Sequence, residues 1–109
     1  MSYKVFSLRT FEKQLKRLVK KYPSLKKEYI KFIESLESNP EQGTAIGHKC
    51  YKIRIAIASK GKGKSGGARV ITNLMVENDA VFLLTIYDKA QKESLNDAEL
   101  AELLKQIAE

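Results

Sequence analysis

The run Ala80 to Tyr87, Ala-Val-Phe-Leu-Leu-Thr-Ile-Tyr, is apolar along its length and follows the turn pair Asn78-Asp79. Successive side chains of a strand point to opposite faces of the sheet, so an all-apolar strand is central or covered on both faces. This segment therefore calls for a sheet with helices packed on it. With 109 residues there is room for one such core, and residues 1–109 read as a single domain. A two-domain enzyme, a TIM barrel or a full dinucleotide-binding fold would not fit.

The other segments supply the rest of such a sheet. Tyr3, Val5 and Ser7 alternate with Lys4, Phe6 and Leu8, as in a strand. After Thr10, a plausible N-cap, Phe11, Leu15, Leu18, Val19 and Tyr22 recur at helical spacing. Tyr22-Pro23 interrupts the pattern, and Pro23 suits the first turn of a second helix. That helix carries Leu25, Tyr29, Phe32, Ile33 and Leu36 and ends at Asn39-Pro40. Glu41 to His48 reads as a loop. Cys50 to Ala58 alternates, with Tyr51, Ile53, Ile55 and Ile57 on one face and Lys52 and Arg54 on the other. Ser59 to Gly67 is a glycine-rich turn, and Ala68 to Val76 is a strand. Asp88 to Leu95 is a polar connection. Asn96 with Glu99 forms a capping box for a last helix bearing Leu100, Leu103, Leu104 and Ile107. The order is β-α-α-β-β-β-α, an α+β fold. Its small sheet is rich in antiparallel pairs, with an N-terminal helical hairpin and a C-terminal helix.

Twenty Lys and Arg against thirteen Asp and Glu leave a net charge of +7. From Gln42 to Val76 there is no acidic residue and there are seven basic ones: Lys49, Lys52, Arg54, Lys60, Lys62, Lys64 and Arg69. The rest of the chain balances, so this window alone equals the whole excess. It spans two strands and their connecting loop, and a hairpin would gather all seven toward one region. An anionic partner follows, with nucleic acid the leading candidate.

Gly63-Lys64-Ser65 matches the end of a Walker phosphate loop, but Ala58 stands at the first glycine position. The segment after it reads as strand, where the motif needs a helix. No nucleotide cofactor is expected. The remaining readings of the loop are a basic hairpin tip that tracks a nucleic-acid backbone and an ordinary solvated tip.

The chain has a single cysteine, Cys50, which allows no internal disulfide, and a single histidine, His48, which reads as a loop residue. No metal-ligand cluster, membrane span or leader segment is legible, so the expectation is a cytoplasmic protein that needs no metal or other cofactor.

Metal-free RNA cleavage needs a base for the 2′-hydroxyl, cations for the phosphorane and an acid for the leaving 5′-oxygen. Lys52, Arg54 and Arg69 are candidates for the cations. A lysine among close lysines has a depressed pKa and can serve as base. Tyr87 can donate a proton or stack on a base, or it is simply a strand-end aromatic closing the core.

Several stretches resemble toxins of the RelE/ParE superfamily, nearest the HigB-like branch. They are Cys50-Tyr51-Lys52-Ile53-Arg54, Lys60-Gly61-Lys62-Gly63-Lys64-Ser65-Gly66-Gly67-Ala68-Arg69-Val70-Ile71, Leu83 to Lys89, and Leu95 to Leu100. The resemblance runs over nearly the whole chain. It implies a toxin of a type II toxin–antitoxin module that cuts mRNA in the ribosomal A site without metal. The implied partners are the mRNA, the ribosome and a cognate antitoxin with an acidic segment. It assigns the chemistry to Lys52, Arg54, Lys62, Lys64 and Arg69, and the strand-end Tyr-x-Lys pattern of the HigB-like branch falls on Tyr87, a further catalytic candidate, and Lys89. Lys49 and Lys60 of the basic window join Lys89 as candidates for RNA binding. The chain departs from RelE proper at Ala90, where RelE has arginine, and around Asn96, where RelE has tyrosine. Two other readings stay open: a ParE-like toxin acting on DNA gyrase without nuclease activity, and a non-toxic basic RNA- or ribosome-binding protein.

Overall fold

The computed structural model describes residues 2–58, 66–92 and 94–107. The elements are β1 (Lys4–Ser7), α1 (Arg9–Lys21), α2 (Leu25–Ser38), β2 (Thr44–Gly47), β3 (Cys50–Ile55), β4 (Ala68–Met75), β5 (Ala80–Asp88) and α3 (Asp97–Ile107). They form one five-stranded sheet in the order β1-β5-β4-β3-β2. β1 runs parallel to β5, and the other pairs are antiparallel.

β5 is an inner strand covered on both faces, as its apolar run demands. On one face Phe11 of α1 and Leu25, Phe32 and Leu36 of α2 pack against Ile53, Ile55, Val70, Val81, Leu83 and Ile86. On the other, Leu100 and Leu103 of α3 pack against Cys50, Ile71, Leu84 and Tyr87. A register shift between Ile71 and Thr72 switches the alternation of β5, so that Leu83 and Ile86, three apart in sequence, share one core and Leu84 and Tyr87 share the other.

Five local expectations change. Thr44–Gly47, read as loop, is the edge strand β2, paired with β3 through a bulge. Its side chains are mostly exposed, so it carries no apolar alternation to read. Gly43 permits the approach: at φ +93° a Cβ would stand 2.5 Å from the Lys52 carbonyl oxygen. β3 ends at Ile55 and not at Ala58, although Ile57 stays buried. β4 ends at Met75, and a 3₁₀ turn at Val76–Asn78, with Asp79 left-handed at φ 49°, joins it to β5. α1 starts two residues early with Leu8 at the N-cap, and Thr10 Oγ1 donates instead to Gln106 Oε1 of α3 at 2.9 Å. Pro23 precedes α2 rather than opening it.

The capping box forms as read. Glu99 N–H donates to Asn96 Oδ1 at 2.8 Å, and Asn96 N–H donates to Glu99 Oε1 at 3.1 Å.

Candidate active site

The three central antiparallel strands put one residue each into a single cross-strand row. Arg54 of β3 is the register partner of Arg69 on β4, and Arg69 is the partner of Tyr87 on β5. Ile53 and Ile55 belong to the core under α1 and α2. Alternation therefore sends Cys50, Lys52 and Arg54 to the face that carries α3.

Close strand approach at this end depends on Gly67, just ahead of Arg69. A Cβ there would lie 2.0 Å from the Ile55 carbonyl oxygen. The second glycine of the Gly-Gly-Ala-Arg stretch thus has a packing reason.

The row grades from solvent to interior. Arg54 is exposed, Tyr87 is 8% exposed and Arg69 only 1%. Arg69 Nη1 donates to the Ala68 carbonyl at 3.2 Å. Burial lowers the Arg69 pKa, and the neighbouring Arg54 charge lowers it further against the opposing influence of Tyr87. Two guanidinium groups side by side repel, and an anion set against them relieves that repulsion.

Tyr87 is shifted upward, chiefly by burial, with Arg69 pulling the other way and Glu99 adding to the rise. It therefore remains a phenol at neutral pH, a proton donor and not a base. Its hydroxyl is buried and has no hydrogen-bond partner among the described residues.

Gln14 of α1, which no sequence motif marked, holds the end of β5. β1 stops pairing at Ser7–Leu83, which leaves the next stretch of that β5 edge without a strand neighbour. Gln14 Oε1 accepts there from Ile86 N–H at 3.0 Å and from Thr85 Oγ1 at 2.8 Å. The only signal was a polar side chain beside the apolar positions of the first helix. Asp88, next along β5, is buried too; it accepts from the Tyr22 hydroxyl at 3.2 Å and from Ala90 N–H at 3.0 Å.

Two adjoining hollows flank Tyr87. One, of about 450 Å³, lies among Thr10, Gln14, Thr85, Tyr87, Lys92 and α3. The other, of about 340 Å³, is lined by Arg17, Gln14, Tyr87, Asp88 and Lys92 among others. Lys92 pairs with Glu99 between them. Lys52 and Arg54 border a third hollow, of about 420 Å³, with Gln42, Gly43 and Thr44 of the β2 edge.

The remaining candidates divide. Lys89 is exposed directly after β5, and its N–H donates to the Gly67 carbonyl at 3.2 Å, at the Arg69 end of the sheet. Lys49 is a correction to the expected gathering of seven cations. It sits in the β2–β3 turn at φ 60°, its carbonyl accepting from Leu74 N–H, and its side chain lies 3.7 Å from Glu77. It is at the far end of β3 from Arg54, because a strand extends the chain by about 3.4 Å per residue. Lys60, Lys62 and Lys64 lie outside the described residues. No group of three or more His, Cys, Asp or Glu able to hold a metal occurs among the described residues. None of the helices among them is long and apolar enough to cross a membrane.

Comparison with known proteins bears on the same elements. A family model described as the RelE toxin of the RelE/RelB toxin–antitoxin system matches residues 3–109. A solved structure of the E. coli toxin RelE in the free state, a double arginine-to-alanine mutant, is 21% identical. The match covers 98% of this chain and 99% of that one, with a TM-score of 0.61. The isolated E. coli RelE toxin is 18% identical over 97% of this chain and 99% of that one, with a TM-score of 0.57.

Proposed function

The chain belongs to the RelE toxin family, and from that premise we propose that it is a metal-independent, ribosome-dependent mRNA endonuclease that halts translation. The observation that carries this reading is the row Arg54–Arg69–Tyr87: two adjacent cations and a phenol on one face of the sheet.

In the proposed reaction a base takes the proton of a ribose 2′-hydroxyl, and the 2′-oxygen bonds to the adjacent phosphorus. The bond from phosphorus to the 5′-oxygen breaks, and an acid protonates the departing oxygen. Arg54 and Arg69, with Lys52 beside them, bind the phosphate and stabilise the charge that builds on it. Tyr87, held as a phenol, serves as the acid. Lys62 or Lys64 serves as the base, and Lys60 and Lys89 hold flanking phosphates. An acidic segment of a cognate antitoxin would compete for the same cations, in the cytoplasm where translation runs.

The test is end-mapping of mRNA in a translating extract, with and without ribosomes. Cuts within translated codons that vanish without ribosomes support the reading. Intact mRNA with broken DNA replaces it with action on gyrase, and growth without arrest on expression replaces both with a non-toxic binding protein.

A further inference from the structure

Beyond Leu83 the edge of β5 has no strand neighbour, and a cleft opens there between α1 and α3. The two hollows beside Tyr87 share Gln14, Tyr87 and Lys92, so they are one cleft with two ends. The end toward α3 is flanked by Leu95, Ala98 and Leu103, with Thr10 and Glu102 beside them. The other end carries Arg17, Gln91 and Lys92. At about 450 and 340 Å³, the two ends are each in the size range of small-molecule sites.

Three polar groups in this cleft are left over by the fold. The Tyr87 hydroxyl is buried, on a residue only 8% exposed, and has no hydrogen-bond partner among the described residues. A buried hydroxyl without a partner is destabilising, and a ligand that supplies one removes that cost. Gln14 must turn its oxygen toward Ile86 N–H, which fixes the amide and leaves its NH2 group donating to nothing among the described residues. Glu102 is exposed on α3 and has neither an ion pair nor a hydrogen bond among the described residues, although Arg9 and Lys13 border a neighbouring hollow with it. A carboxylate there repels a phosphate, so it calls for a ligand group that donates.

We propose that this cleft is a guanine-nucleotide site, with the base between α1 and α3 and the phosphate at Arg17 and Lys92. A nucleobase is flat and apolar on its faces and polar on its edge, and unstacked bases are read through that edge between apolar walls. Leu95, Ala98 and Leu103 supply the apolar wall. Among the four RNA bases, guanine alone sets two donors, N1–H and the N2 amino group, side by side next to an acceptor, O6. The Glu102 carboxylate accepts from both donors, and the Gln14 NH2 group donates to O6. On the same edge adenine, cytosine and uracil each offer a carboxylate a single donor. Arg17, with Lys92 at the junction of the two hollows, meets the phosphate. The nucleotide is a unit of the cut strand or a free mononucleotide, and both present this chemistry. The first source rests on the nuclease reading, with Tyr87 standing between the reacting phosphate and the base being read, but the binding test does not require cleavage.

The experiment titrates the full chain with the 5′-monophosphates GMP, IMP, AMP, CMP and UMP by calorimetry, with amide chemical shifts recording where each binds. GMP should bind at least about tenfold tighter than IMP, which lacks only the N2 amino group, the scale of one hydrogen bond to a charged group. The shifts should centre on residues 14, 85–87 and 98–103. Glu102→Gln, at an unchanged Tm, should bring GMP down to the level of IMP. Glu34→Gln removes the same charge from an exposed position of α2 and should leave the preference intact. Arg17→Gln should weaken every mononucleotide several-fold and leave guanosine, which has no phosphate, unchanged. GMP binding no tighter than IMP, equal effects of Glu102→Gln and Glu34→Gln, or shifts confined to β3 and β4 would overturn the proposal. End-mapping of mRNA cut by the parent and by Glu102→Gln separates the two sources. A fall in the share of guanine beside the cuts places the nucleotide in the strand, and unchanged cuts with GMP selectivity lost make it a free mononucleotide. GMP selectivity in a protein that cuts no mRNA would sink the nuclease reading and leave the site standing, whereas cleavage without that selectivity would sink the site alone.

Discussion

Arg54 and Arg69 are register partners across the β3–β4 ladder, yet Arg54 is exposed and Arg69 is almost completely buried. The pair presents one guanidinium to solvent and keeps a second behind it. Arg69 rests against its own strand's Ala68 carbonyl, with the Arg54 charge depressing its pKa. An arriving phosphate would meet Arg54 first and draw favourable interaction from both.

That arrangement separates two substitutions. Arg54→Gln removes an exposed cation and should leave stability within about 0.5 kcal/mol of the parent. It should lower mRNA cleavage at least about 100-fold, the scale of losing one preorganised donor to a developing charge. Arg69→Ala should abolish growth arrest on expression while the protein stays folded by circular dichroism. A fully toxic Arg69→Ala protein would remove the row from the mechanism.

Gly67→Ala should act through the backbone. Its Cβ would need the space of the Ile55 carbonyl, 2.0 Å away, where no flexible side chain can yield. Prying the start of β4 from the end of β3 should cost about 2–3 kcal/mol, a fall in Tm of roughly 10 °C or more for a chain of this size. Thermal melts check the stability, and extract cleavage checks whether Arg54 and Arg69 still act together.

Much of this architecture is legible before any coordinates, and the exceptions share a cause. The apolar run Ala80–Tyr87 announces a strand buried on both faces, and Asn96 with Glu99 announces the start of α3, because side-chain chemistry alone decides both. Thr44–Gly47 escapes notice because backbone pairing makes it a strand, while its side chains face water. Lys49 looks like a member of the basic site in the sequence, but strand length carries it to the opposite end of the sheet. The burial of Arg69 depends on what packs over it, which its neighbours in sequence do not reveal. The resemblance to the RelE/ParE superfamily rests on Cys50–Arg54, on the glycine-lysine-arginine stretch Lys60–Ile71 and on the order of elements, and the family match over residues 3–109 bears out the family.

Gln14→Leu tests the clamp on β5. The substitution keeps the volume but removes the acceptor for Ile86 N–H and Thr85 Oγ1. Leaving those two groups without it should cost about 1–3 kcal/mol. Because Ile86 precedes Tyr87, the loss should also show as faster amide hydrogen exchange at residues 85–87 than elsewhere in β5. Uniform exchange along the strand would mean that Gln14 does not hold this end.

α3 should loosen in acid. The Glu99 carboxyl is held below the usual glutamate range, first by the hydrogen bond from Lys92 and then by the Asn96 N–H. A carboxyl with a depressed native pKa binds protons more readily in the unfolded chain. Its contribution is therefore present above the ordinary glutamate pKa and is lost as pH falls through the lowered native value. Both bonds tie the start of α3 to the segment before it, beside Tyr87. The amide protection of α3, measured against the intrinsic exchange rate at each pH, should accordingly fall on acidification before that of β4 or β5 does. Lys92→Gln removes the largest cause of the shift. In that variant α3 should exchange faster at neutral pH and lose much of its acid sensitivity, and an α3 whose pH response matches the parent would show that the pair does not fasten the helix.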